Sequence, residues 1–211
     1  MRRLPVYLLL DTSGSMRGEP IESVRAGLRA MVDSLRQDPL ALDSVHLSII
    51  TFYAYVKVLV PLTPVEQFLV PELVPPDSGP THLGRALKDV CRQVDREVQK
   101  SNASVKGDWR PILFIMTDGA ASDKQAFEEA IEEVRRRKFG VVIACAAGAK
   151  AKPDELRRLT DRVYTLETMD STSFESLFRW VSSSIEVNSS SIGVTSEVIL
   201  PPPPVDVNPV L

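Results

Sequence analysis

Leu4-Pro5-Val6-Tyr7-Leu8-Leu9-Leu10 runs directly into Asp11-Thr12-Ser13-Gly14-Ser15. The first stretch is nearly all apolar, as a strand buried on both faces must be. The second turns polar at once and carries one carboxylate and two hydroxyls. At positions i, i+2 and i+4 of an extended or looping backbone, those three side chains can face one side. Beyond the loop, Ile21, Val24, Leu28, Met31, Val32 and Leu35 fall on one helical stripe that ends near Asp38-Pro39. A buried strand, a polar loop and an amphipathic helix open an α/β fold.

The remaining sequence repeats that alternation. Val45–Phe52 and Val56–Val60 read as strands, and the Tyr53-Ala54-Tyr55 link is short enough to require an antiparallel hairpin. Residues 61–80 are proline-rich and read as loop with one short helix. A second long stripe follows at Leu83, Leu87, Val90, Cys91, Val94 and Val98. After a polar loop at 99–109 comes a third buried strand, Ile112–Met116. Ser122 with Gln125 has capping-box spacing and opens a helix that closes on Arg135-Arg136-Arg137-Lys138, near Gly140. Those cations suit the negative end of a helix dipole and do not make a nucleic-acid patch. Val141–Ala146 and Val163–Leu166 are further strands, with a short helix from Pro153 between them. Thr172 with Glu175 is a second capping box, for a helix through about Ile185. The pattern predicts a Rossmann-like, doubly wound α/β fold with a mostly parallel sheet and one antiparallel edge strand. Residues 1–186 form the domain. Residues 187–211 form a Ser/Pro-rich C-terminal arm, docked or free, which is not expected to continue the helix and in which only Val198–Leu200 has strand character.

With 211 residues, 44% of them hydrophobic, the chain can bury a substantial core. A formal net charge of -3 with no basic stripe argues against a general nucleic-acid or anionic-membrane binder. The opening apolar run is too short for a secretory signal, and no stretch approaches a membrane span. Cys91 and Cys145 sit in apolar periodic segments and read as buried thiols, so no oxidising compartment is required. The expected location is the cytoplasm.

Open α/β sheets bind ligands at the carboxyl ends of their strands. After the first strand stand Asp11, Ser13 and Ser15; after the third buried strand, Thr117-Asp118-Gly119; before the second long helix, Ser78-Gly79-Pro80-Thr81. The side-chain oxygens of Asp11, Ser13, Ser15, Thr81 and Asp118, two of them charged, suit a small hard cation. Mg²⁺ takes octahedral oxygen ligands and uses one or two carboxylates; Mn²⁺ fits the same set. Calcium commonly takes more oxygens, and no Cys/His set favours a softer metal.

This pattern resembles the metal-ion-dependent adhesion site of the von Willebrand factor A (vWA) family: Asp-x-Ser-x-Ser, a separate threonine, then an aspartate after a later strand. The resemblance covers residues 1 to about 185. It implies that Ser13, Ser15 and Thr81 touch the metal, and that Asp11 and Asp118 act directly or through water. It also implies that an Asp or Glu of a partner protein completes the shell. Within the family, RRLPVYLLLDTSGSMRGEPIESV, VPPDSGPTHLG and the proline-ended tail look most like the bacterial TerY-type proteins of tellurium resistance and stress response. That likeness implies a binding protein working with kinase and phosphatase partners of the same system. Tyr53-Ala54-Tyr55 departs from the polar link expected of such relatives. It is read either as neutral drift or as an aromatic contact beside the metal.

Two other functions fit less well. A metal-assisted phosphoester hydrolase would need a base, for which His82 beside Thr81 is the candidate. No P-loop or nucleophile-elbow motif is present. A vWA subunit recruiting an ATPase would need that ATPase on a separate chain. His46, Trp109 and Trp180 read as structural. Pro201–Pro204 reads as part of the arm, with a polyproline-binding partner the less common case.

Overall fold

A computed structural model describes residues 2–190 and 199–210. Its centre is β1 (Leu4–Asp11), every residue of which is buried. The remaining strands are β2 (Val45–Phe52), β3 (Val56–Pro64), β4 (Ile112–Thr117), β5 (Val141–Ala147), β6 (Val163–Leu166) and β7 (Asn208–Pro209). They form one seven-stranded sheet in the order β3-β2-β1-β4-β5-β6-β7. The interior pairs are parallel, from β2 through β6. β3 runs antiparallel at one edge, as the hairpin link requires, and the two-residue β7 closes the other edge antiparallel.

The helices are α1 (Glu19–Gln37), α2 (Pro39–Ser44), α3 (Leu83–Glu97), α4 (Lys124–Arg136), α5 (Pro153–Arg157) and α6 (Ser171–Ser190). Alternation along β1 sorts them into two layers. Val6, Leu8 and Leu10 join a core with Val24, Leu28 and Phe178 under α1 and α6. Tyr7 and Leu9 point the other way, into a core with Leu87, Val90 and Phe127 under α3 and α4. A strand with helices on both faces has no solvated side, which is why β1 carries an unbroken apolar run. Cys91 and Cys145 are buried free thiols, and burial pushes them up to about 11 and about 12 respectively.

Three expectations need correction. β3 continues to Pro64, beyond Val60, because proline costs no ladder hydrogen bond on an edge strand. The helix expected to open at Thr172 is capped by Asp170, whose Oδ1 accepts from the Ser173 N–H at 2.9 Å, while Glu175 pairs with Arg179. That helix also runs on to Ser190 in spite of its serines. Ser184 Oγ donates to the Trp180 carbonyl, Asn188 Nδ2 to the Ser184 carbonyl and Ser189 Oγ to the Glu186 carbonyl, so the polar side chains are absorbed within the helix.

The arm beyond is docked. Asn188 pairs with both backbone groups of Ile199, Trp180 Nε1 donates to the Pro201 carbonyl at 2.9 Å, and Val207 is buried. Val198 lies outside the described residues; Ile199 and Leu200 are not part of a strand. Among the described residues, no helix is long and apolar enough to cross a membrane.

Candidate metal centre

Strand order reverses direction between β1 and β4: the chain leaves β1 toward β2 on one side and returns to β4 on the other. The loops after these two neighbouring strands therefore diverge and leave a crevice, the place where open α/β sheets bind ligands. Leu10 pairs with Met116, so Asp11 and Thr117 stand level at the strand ends. Asp11 is fully buried. Its Oδ1 accepts from the Ser13 N–H at 2.8 Å and its Oδ2 from the Thr117 hydroxyl at 2.6 Å. Burial pushes the carboxyl up to about 6; the Thr117 and Ser13 hydrogen bonds pull it down, and the charge of Asp118 raises it further.

The next three oxygens cluster. Ser13 Oγ lies 3.1 Å from Ser15 Oγ and 3.4 Å from Asp118 Oδ1. Adjacent vertices of an octahedron with Mg–O bonds of the usual length are about 3.0 Å apart. The serine pair therefore matches one octahedral edge. Asp118 stands slightly wider, a spacing suited to contact through water. Both oxygens of Asp11 already hold protein donors, which also suits an outer position. Ser13 and Asp118 are buried while Ser15 is exposed, so the cluster opens to solvent on the Ser15 side. The donor set is two carboxylates with hydroxyls; among the described residues, no group of three or more His, Cys, Asp or Glu side chains is placed to hold a metal.

Thr81 is set beside the loop that carries Asp118 by a different route. A Cβ on Gly14 would come within 2.8 Å of Ser78 Cα, so only glycine lets the 76–81 segment pack against the loop after β1. An Arg17–Asp77 ion pair joins the same two loops. Thr81 then exchanges two hydrogen bonds with Ser122: its N–H donates to Ser122 Oγ at 3.1 Å, and its carbonyl accepts from the Ser122 N–H at 2.8 Å. A Cβ on Gly119 would lie 3.3 Å from Thr81 Oγ1, which sets that hydroxyl against the residue following Asp118.

Ser122 is thus not the capping residue its spacing with Gln125 suggests; Gln125 bonds Glu129 instead. The cap in this loop is Asp123, and it serves another helix. Its two carboxylate oxygens accept from the Gly84 and Arg85 N–H groups at 3.0 and 2.8 Å, at the start of α3. Asp123→Ala is expected to lower stability by about 1–2 kcal/mol, read as a shifted urea midpoint. It should also loosen Thr81, which lies just before the helix it anchors.

The family model of the von Willebrand factor type A domain matches residues 6–180. The chain belongs to the von Willebrand factor type A family. Solved vWA structures share the fold at low identity. A von Willebrand factor type A protein from Catenulispora acidiphila is 17% identical with a TM-score of 0.66, over 88% of this chain and 43% of that one. Proximal thread matrix protein 1 from the mussel byssus, with a zinc-occupied MIDAS motif, is 17% identical with a TM-score of 0.64, over 87% and 48%. The vWF domain of the pilus tip protein Mfa5 from Porphyromonas gingivalis is 11% identical with a TM-score of 0.64, over 89% and 96%. The chain thus spans less than half of the first two proteins. No curated protein sequence matches it.

In this vWA domain, β2 runs parallel to β1, so the Tyr53-Ala54-Tyr55 link stands at the Asp11 end of the sheet. The Thr12 N–H donates to the Phe52 carbonyl at 2.8 Å and ties the two strand ends together. The tyrosine rings meet edge to face with centroids 5.6 Å apart, and Tyr55 is exposed. With Thr12, Lys57, Glu72 and Val74 they line a recess of ≈ 330 Å³. His82 belongs to the same contact. Its N–H donates to the Tyr53 carbonyl at 2.9 Å and its Nδ1 lies 3.0 Å from the Ala54 carbonyl. A ring nitrogen facing a carbonyl carries the proton, so His82 holds the hairpin link to the start of α3.

Proposed function

We propose that this vWA domain binds a partner protein through one divalent ion, Mg²⁺ or Mn²⁺, held by Asp11, Ser13, Ser15, Thr81 and Asp118. An Asp or Glu of the partner completes the shell. The observation that carries this reading is the Ser13–Ser15 hydroxyl pair at octahedral spacing beside Asp118 and open to solvent on the Ser15 side. When bound, the ion supplies a positive centre that attracts an anionic oxygen. The chain's part is to orient ligands and leave charge for the partner. Hydroxyls contribute no formal charge, and Asp11 is shared with Thr117 and Ser13, so the cation stays underneutralised.

We read the domain as a binding module and not an enzyme. Support comes from likeness in fold to proteins such as the pilus adhesin SpaC from Lactobacillus rhamnosus GG. On the TerY-like texture of residues 2–24 and 74–84, we place it in the cytoplasm in a bacterial tellurium-resistance or stress-response system. Kinase and phosphatase proteins of that system are the candidate partners. The exposed Tyr55 and the recess beside it are read as the aromatic flank of the docking face.

Capture of partners from the native cell with the immobilised domain tests this. Retention should require Mg²⁺, fall on adding EDTA, and be lost in Asp118→Ala while the far-UV spectrum is unchanged. Retention indifferent to both treatments would overturn the reading, and replacement of both tyrosines by serine without loss of affinity would remove the aromatic flank.

The pH dependence follows from Asp11. Its carboxyl in the folded domain titrates at about 6, above its ordinary 3.8. The folded state thus binds that proton more tightly than the unfolded one, and without added ion stability falls as pH rises across this window. A cation must displace the proton, so Mn²⁺ affinity should be level above about pH 7 and decline below 6. Calorimetric titration at three pH values checks this; equal affinity at pH 5 and 7.5 would contradict it.

A further inference from the structure

At the pole of the sheet opposite Asp11, a cleft of ≈ 420 Å³ opens between the C-terminal ends of α3 and α4 and the segment leading into β4. Five cations line it: Lys100, Arg110, Arg136, Arg137 and Lys138. Two carboxylates also do, Asp95 and Asp108, which leaves a local charge of +3 on a chain whose total is -3.

Both carboxylates are already engaged. Asp95 accepts from Arg137 at 2.8 and 3.1 Å, and Asp108 pairs with Arg3 at 2.5 Å. Lys100, Arg110, Arg136 and Lys138 are exposed and have no acidic partner among the described residues. Two helix C-termini end here, and each dipole offsets about half a charge. Compensation of the dipoles thus accounts for about one cation, and the cleft retains an excess.

The cleft also has a fixed wall. Arg2 stacks on the Trp109 ring at 3.7 Å and donates to the Gly107 and Asp108 carbonyls, which holds the ring in place. The indole N–H of Trp109 is buried and has no partner among the described residues.

We propose that this cleft binds a phosphorylated side chain of a partner protein, at a site separate from the metal centre. Guanidinium groups match the paired oxygens of a phosphoryl group, and two exposed arginines with two lysines suit a dianion better than a single carboxylate. The excess is confined to one recess. A duplex or an anionic membrane would lay further phosphates against a chain of net negative charge, whereas one phosphoryl group meets only the cleft.

The test uses the full chain in EDTA, so that failure of the metal reading does not affect it. Its backbone and indole resonances are followed by NMR at fixed ionic strength. The probes are a glycine-flanked phosphoserine pentapeptide, its unphosphorylated twin and inorganic phosphate. The phosphopeptide and phosphate should shift the Trp109 indole and the Gln99 and Lys100 amides saturably, and the twin should not. Arg110→Gln with Arg136→Gln should weaken phosphopeptide binding at least about tenfold without moving the thermal midpoint. Equal shifts with the twin, or unchanged affinity in the double variant, would overturn the proposal. So would tighter binding of a short DNA duplex or of phosphatidylserine vesicles through the same residues.

Discussion

Asp11→Ala is expected to lower Mn²⁺ affinity by about ten- to a hundredfold while the sheet stays folded. The carboxylate stands where β1 ends and holds both the Ser13 N–H and the Thr117 hydroxyl. Removing it strands the buried Ser13 N–H, a cost of about 1–3 kcal/mol, while the Thr117 hydroxyl can turn to the Gly119 carbonyl at 3.3 Å. The variant also sheds a carboxylate that burial disfavours. These effects oppose one another, so the loss of stability is modest against a typical domain's total. No such offset acts on ion binding. The turn that aims Ser13 and Ser15 loses its anchor, and the ion loses a negative charge. Calorimetry of Mn²⁺ binding, read beside a thermal midpoint, separates the two effects. Affinity preserved within threefold would show that Asp11 serves only the turn.

Gly84→Val should have the largest effect on folding, about 3–5 kcal/mol. A Cβ at position 84 would come 2.2 Å from Phe127 N and 2.5 Å from Ala126 C, both backbone atoms of α4. Backbone cannot move aside as a side-chain tip does. The two helices would have to separate, exposing the core that contains Leu87, Val90 and Phe127. Separation would also break the Gly84 N–H to Asp123 hydrogen bond and pull Thr81 from Ser122. Urea unfolding measures the loss. A midpoint equal to that of the unchanged chain would mean that α3 and α4 are free to slide, and that Thr81 is not held as described.

Much of this architecture was legible in the residue pattern, for reasons that can be named. The run from Leu4 to Leu10 could belong only to a strand covered on both sides, and the alternation that followed it led to the doubly wound sheet. Asp11, Ser13 and Ser15 could be grouped because their spacing is local. What escaped was non-local. Capping-box spacing assigned Ser122 to α4, yet Ser122 binds Thr81 and Asp123 caps α3, a helix that starts about forty residues earlier. Thr117 was visible only as a neighbour of Asp118; its bond to Asp11 depends on β1 and β4 lying side by side. The serines after Ile185 suggested a helix end because composition does not reveal side chains bonding back within the helix. The basic residues around 136–138 read as dipole compensation, and only the fold brings Lys100 and Arg110 to the same cleft.

Anomalous X-ray scattering from crystals grown with Mn²⁺ locates the ion on the chain. A single strong peak is expected at the ends of β1 and β4, at bonding distance from Ser13 Oγ and Ser15 Oγ, with Thr81 and Asp118 in its shell and one position open to solvent or to a neighbour's carboxylate. A Mn²⁺ peak elsewhere on the chain, or none between these residues at saturating Mn²⁺, would contradict that placement.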